Sequence, residues 1–89
     1  MAYVLIDETL TGTTASASAT IKGNFDFSLA GTFTGSVTIE RSYDDGATWR
    51  AVESYTAPTE TYGVAAATDV RYRAKPDLSA GSAEVVIAQ

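Results

Sequence analysis

The chain contains no cysteine and no histidine. Disulfide scaffolds and thiolate zinc centres are therefore excluded, and with imidazole also missing, any metal would have to be held by oxygen atoms alone. The same two absences remove the usual nucleophile and base pairings of hydrolytic enzymes, leaving carboxylates, Lys, Ser and Tyr. Basic residues are scarce: six Lys and Arg stand against eleven Asp and Glu, a net charge of −5 with a pI near 4.3. Phosphate-backbone binding depends on concentrated positive charge, so no nucleic-acid partner is expected. No apolar run approaches the length of a membrane span. The start Tyr3-Val4-Leu5-Ile6 is too short, and too soon followed by Asp7 and Glu8, to be read as a signal peptide. The expectation is a soluble, cytoplasmically made protein with no membrane partner.

What is present points to strands. Thirteen threonines and seven glycines accompany few Leu, Lys or Glu, a balance that disfavours helices. At 89 residues the chain is one domain, 1–89, near the lower limit for folding without a staple. Its stability must come from nine aromatics and its Val, Ile and Leu side chains, aided by association with copies of itself or a partner.

Two-residue alternation marks the clearest strands: Phe25, Phe27 and Leu29; Val37 and Ile39; Val70, Tyr72 and Ala74; Val85 and Ile87. Weaker signals place short strands at Thr9 to Ala15, at Ser18 to Lys22 before a turn at Gly23 and Asn24, and at Glu60 to Val64. A connection, or under two turns of helix, is expected around Ala65 to Asp69, and Pro76 is expected to end the strand before it. These alternations give an expected core of Phe25, Phe27, Leu29, Val37, Ile39, Trp49, Val70, Tyr72, Val85 and Ile87. Arg71, Arg73 and Lys75 share one face and read as solvated or cross-strand-paired charges. The resulting fold class is all-β: a small antiparallel β-sandwich, immunoglobulin-like, of about seven strands. Tyr3, Val4, Leu5 and Ile6 are open to two roles: the first strand of that sandwich, or part of a contact arm over residues 1–8 laid along a neighbour's edge strand. In the second role, deleting Met1 to Asp7 would weaken binding and leave the fold intact.

The most specific stretch is Ser42-Tyr43-Asp44-Asp45-Gly46-Ala47-Thr48-Trp49. Asp44 and Ser42 are short acceptors for nearby backbone N–H groups, Gly46 supplies the positive φ of a tight reversal, and Thr48 and Trp49 suit the departing strand. A calcium loop is disfavoured, because the twelfth position from Asp44 is Tyr55 where an EF-hand needs a bidentate Glu. The octet fits Ser-x-Asp-x-Gly-x-Thr-Trp and resembles an Asp box, the hairpin turn known from sialidase propellers and many other β proteins. What that resemblance implies is a structural turn built on Ser42, Asp44, Gly46, Thr48 and Trp49. A propeller would need several blades and a recurring box, so sialidase activity does not follow.

A wider resemblance covers Leu29 to Gln89. The run Gly31-Thr32-Phe33-Thr34-Gly35-Ser36-Val37-Thr38-Ile39-Glu40-Arg41-Ser42 entering the box, the later Val70-Arg71-Tyr72-Arg73 and the closing Val85-Val86-Ile87-Ala88-Gln89 look like small virion proteins of tailed bacteriophages. The segment Met1 to Lys22 falls outside it. The resemblance implies a non-enzymatic, cofactor-free structural protein of the virion. Its best-fitting role is a capsid decoration or cement protein bound to the major capsid protein, homo-oligomeric and trimeric or otherwise symmetric. A tail or head-to-tail component of the same particle and a carbohydrate-binding module using exposed Tyr and Trp are the alternatives.

Overall fold

In a computed structural model, residues 3–89 are described, apart from the side chain of Thr68; Met1 and Ala2 of the expected arm lie outside them. Six strands follow in order: β1 (Val4–Leu10), β2 (Ala19–Ala30), β3 (Phe33–Ser42), β4 (Arg50–Tyr55), β5 (Thr59–Gly81) and β6 (Ala83–Ala88). They lie side by side as β1-β6-β2-β5-β3-β4, every neighbouring pair antiparallel. The domain is all-β and antiparallel, with no helix among the described residues. β5 counts as two arms, 59–65 and 70–81, because residues 66–69 bulge out between the pairs Gly23↔Ala65 and Ile21↔Val70. On that count the strands number about seven, as expected.

The hydrogen-bonded sheet folds over on itself. β1, β6, the second half of β2 and the first arm of β5 form one layer; the second arm of β5, β3 and β4 form the other. Tyr55 on β4 stacks against Phe27 on β2, and Phe25 tilts against Tyr72, with ring centroids 5.5 and 5.4 Å apart. Neither aromatic pair consists of ladder partners, so both contacts cross the fold. The smallest dimension, 17 Å between Cα extremes, is that of two packed layers.

Alternation decides which side chains fill the space between the layers. On β2 the buried positions are Ile21, Phe25, Phe27 and Leu29; on β6 they are Ala83, Val85 and Ile87; β1 adds Ile6 and Leu10. The other layer supplies Val37, Ile39, Val70, Tyr72, Ala74 and Leu78. Nine of the ten expected core residues are buried. Trp49 is the exception, half-buried under the guanidinium of Arg73. Ile6, Leu10, Ile21 and Leu78 join the core without having been expected there.

Several element boundaries differ from expectation, each for an identifiable reason. Ala19 to Lys22 and Phe25 to Leu29 belong to one strand, β2, since Gly23 (φ 82°) stays paired with Ala65 beside a register shift, where β5 carries the extra residues, and does not reverse the chain. Thr9 and Leu10 close β1, while the rest of the expected strand Thr9 to Ala15 belongs to a linker. That linker is pinned to β5: Leu78 N donates to Gly12 O, Ser16 N to Ala74 O, and Ala74 N to the buried Ser16 Oγ at 2.9 Å. Pro76 does not end the strand; it pairs with Val37 and is fully buried. The N–H groups of Ala74 and Leu78 point at the linker, so alternation aims the missing donor of Pro76 that way too, away from β3.

Tyr3 to Ile6 is not a free arm. Val4 begins β1, Tyr3 exchanges backbone hydrogen bonds of 2.8 Å with Gln89, and Ile6 is 3% exposed. Deleting Met1 to Asp7 would therefore remove core packing as well as any contact. Tyr3 and Val4 still project into solvent and remain available to a partner.

Phe27, 1% exposed and touching both layers, is the most sensitive core position. Phe27→Ala is expected to lower unfolding free energy by roughly 3–5 kcal/mol in urea titrations followed by circular dichroism. Val52→Ala on the exposed face of β4 is expected to shift it by less than about 0.5 kcal/mol.

Candidate functional site: the hairpin clasp and the open groove

The turn between β3 and β4 is a closed hydrogen-bond unit. Ser42 Oγ donates to Asp44 Oδ1 at 2.7 Å and accepts from Gly46 N at 2.8 Å and Asp44 N at 3.4 Å. Asp44 Oδ1 also accepts from Thr48 N at 2.8 Å, and Ala47 N reaches Asp44 O at 3.4 Å. The two side chains thus secure backbone donors four residues ahead. Gly46 (φ 95°) supplies the reversal, and Asp45 (φ 61°) takes the left-handed conformation that a short polar residue tolerates. Ser42, Asp44, Gly46, Thr48 and Trp49 are brought together as one turn.

Ser42 is fully buried although it follows the outward phase of Thr38 and Glu40. Burial comes from the turn, which curls back over the outer face of β3 and β5. There Asp45 meets Arg71 Nε at 2.6 Å, and Arg71 also donates to Ser18 Oγ at 3.3 Å. Arg73 donates to Glu40 Oε1 at 2.9 Å and lays its guanidinium 4.1 Å above the Trp49 ring. Lys75 Nζ donates to the carbonyls of Thr13 and Pro76. The Arg71-Arg73-Lys75 row is therefore a set of cross-strand and linker partners, as its alternation implies.

These contacts explain why Trp49 is outside the core. It precedes β4, packs by Gly46 under the turn, and is capped by Arg73, so its face is not a flat exposed platform for a sugar ring. β4 itself buries none of its residues; only Tyr55 is half-buried. A register shift between Ile39 and Glu40 leaves Val52 without a cross-strand partner, so no two-residue alternation runs through Trp49, Ala51 and Glu53.

A groove of about 280 Å³ opens where β4 diverges from the first arm of β5. Phe25, Phe27 and Ile39 form its floor, with Val52, Tyr55 and Tyr62 at the sides. Burial, and then the nearby Glu53 charge, push the Tyr55 hydroxyl above its ordinary pKa, so it remains a neutral donor through the physiological range. Gly63 permits the close approach of the Phe25 ring: a Cβ there would lie 2.8 Å from Phe25 Cζ. Among the described residues no three Asp or Glu carboxylates gather as a metal-binding group. No described helix is long and apolar enough to cross a membrane.

The Asp44 carboxyl is held at about 2 by its hydrogen bonds with Ser42 and Thr48, below the usual carboxylate value. A depressed folded-state pKa means stabilisation that is complete above the unfolded value near 4 and lost as pH falls toward 2. Thermal melts across that window are expected to show a decline that is smaller in Asp44→Ala, because the variant has already lost these bonds at neutral pH. Ser42→Ala leaves the Gly46 and Asp44 donors without their acceptor and is expected to cost roughly 1–3 kcal/mol in urea unfolding.

No protein-family model, no curated protein and no solved structure matches this chain.

Proposed function

We propose that the protein is a non-enzymatic structural component of a tailed-bacteriophage particle, a decoration protein seated on the lattice of the major capsid protein. The observation that carries this reading is the strand-and-clasp unit. The residues resembling phage virion proteins, Gly31 to Trp49, make up one mechanical piece: β3, buried on one side, running into a turn fastened by Ser42 and Asp44. The ionic groups around it, Asp45 with Arg71 and Glu40 with Arg73, bind the turn to the sheet.

A decoration protein works by adding contacts across shell subunits, so it needs rigidity and exposed contact groups rather than a reaction centre. Among the described residues the exposed large apolar side chains are Tyr3, Val4, Tyr43, Val52, Tyr62 and Val64. All but Tyr43 lie on or beside edge strands or on the first arm of β5, where a neighbouring subunit can reach them.

Adding purified protein to shells that lack it, from the phage whose genome encodes this chain, is the direct test. Stoichiometric binding that follows the lattice, with a higher disruption temperature or better osmotic survival, is the expected result. Absence of shell binding would overturn the reading, and immunolabelling confined to the tail by electron microscopy would move the protein to another place in the particle.

A further inference from the structure

Two surfaces of the domain are used by neither the core nor the clasp. The first is the solvent side of the layer made by β1, β6, β2 and the first arm of β5. Its register sets Val4, Ala88, Asp26 and Tyr62 in one row and Asp7, Val86, Ser28 and Glu60 in the next, with Glu84 opposite Ala30 beyond. Tyr62 is 78% exposed, and Asp7, Asp26, Glu60 and Glu84 are all exposed. Neither row contains Lys or Arg. A shallow depression of about 330 Å³ lies between Asp26, Glu60, Tyr62 and Val86, and Ser28 Oγ orients the Glu60 carboxylate at 2.6 Å.

The second surface is Arg41 with Arg50. They are direct partners in the β3–β4 ladder, an arrangement that is unfavourable for like charges. Neither has a carboxylate at ion-pair distance among the described residues. Arg41 rests against the ring of Tyr43, which is itself 56% exposed. Arg71, Arg73 and Lys75, by contrast, all have partners.

We infer that the acidic, partly apolar face of one copy docks the Arg41–Arg50 pair of a second copy. The charges of the two surfaces are complementary, and both belong to the same chain. Guanidinium groups match carboxylates in a fixed fork geometry, while their methylene stems and Tyr43 can cover Tyr62 and Val86. A chain of net charge −5 repels its copies at long range, so association requires this local match of opposite charge. The contact goes beyond the role in a particle and stands independently of it.

Sedimentation equilibrium of the full chain at low and high salt tests the assignment, alongside two charge-reversed variants, Arg41→Glu/Arg50→Glu and Asp26→Lys/Glu60→Lys. The wild type is expected to self-associate, with affinity falling at least ~10-fold at high salt as the contact is screened. Each variant alone is expected to be monomeric with an unchanged circular dichroism spectrum, and an equimolar mixture to associate again, since the intact face of one variant meets the intact pair of the other and reversed face meets reversed pair. Should half-buried Arg41 not tolerate reversal, Arg50→Gln and Asp26→Asn, both at exposed positions, are each expected to weaken association. A wild type that stays monomeric at every concentration, variants that associate as it does, or a mixture that stays monomeric would each overturn the proposal. A monomeric chain whose binding to shells is lost in Asp26→Lys/Glu60→Lys would overturn it too, assigning the face to a basic partner surface.

Discussion

The antiparallel ladder between β2 and β5 is the interaction on which the rest of the fold depends. β2 is bonded to β6 on its other side and β5 to β3, so this ladder joins the two layers into one sheet. It also carries the residues that fill the space between them: Phe25, Phe27 and Leu29 from β2, Val70, Tyr72 and Ala74 from β5. A chain with no disulfide and no metal ligand of the usual kinds has no covalent substitute for that junction. Forming the ladder requires closure of a long loop, since Leu29 pairs with Thr59 and Ala19 with Tyr72. The entropy of that closure must be met before the core repays it, which places this topology among the slower-folding ones.

The clasp solves a local problem inside that long loop. β3 and β4 lie between the two partners of the ladder in sequence, and β4 is an exposed edge strand with almost no core of its own. Hydrophobic burial cannot hold it, so hydrogen bonding from Ser42 and Asp44 does, with Arg71 and Arg73 tying the turn back to β5. The bulge at Val52 twists the same edge away from regular pairing, a recognised device against unplanned strand addition.

Much of this was legible in the residues, and the parts that were not share a cause. Phe25-Phe27-Leu29, Val37-Ile39, Val70-Tyr72 and Val85-Ile87 show their buried face because one side of each strand meets the core and the other meets water. The clasp was legible because its chemistry is local: every bond spans four residues or fewer. Long-range compensation was not legible. Gly23 reads as a turn until β5 is seen to loop out opposite it, and Pro76 reads as a stop until its missing donor is seen to face the linker. Trp49 reads as core from strand alternation, yet Arg73, twenty-four positions on, covers it on the outer face. The opposition of Arg41 to Arg50 likewise depends on the hairpin register, which spacing alone does not fix.

Native-state hydrogen exchange, read residue by residue, tests the central role of the β2–β5 ladder most directly. Amides bonded across it within 25–29 and 59–65 are expected to exchange only through global unfolding, with the edge strands β1 and β4 opening earlier and independently. Exchange in β2 and β5 at free energies no higher than in those edge strands would contradict the account and place the organising contact elsewhere.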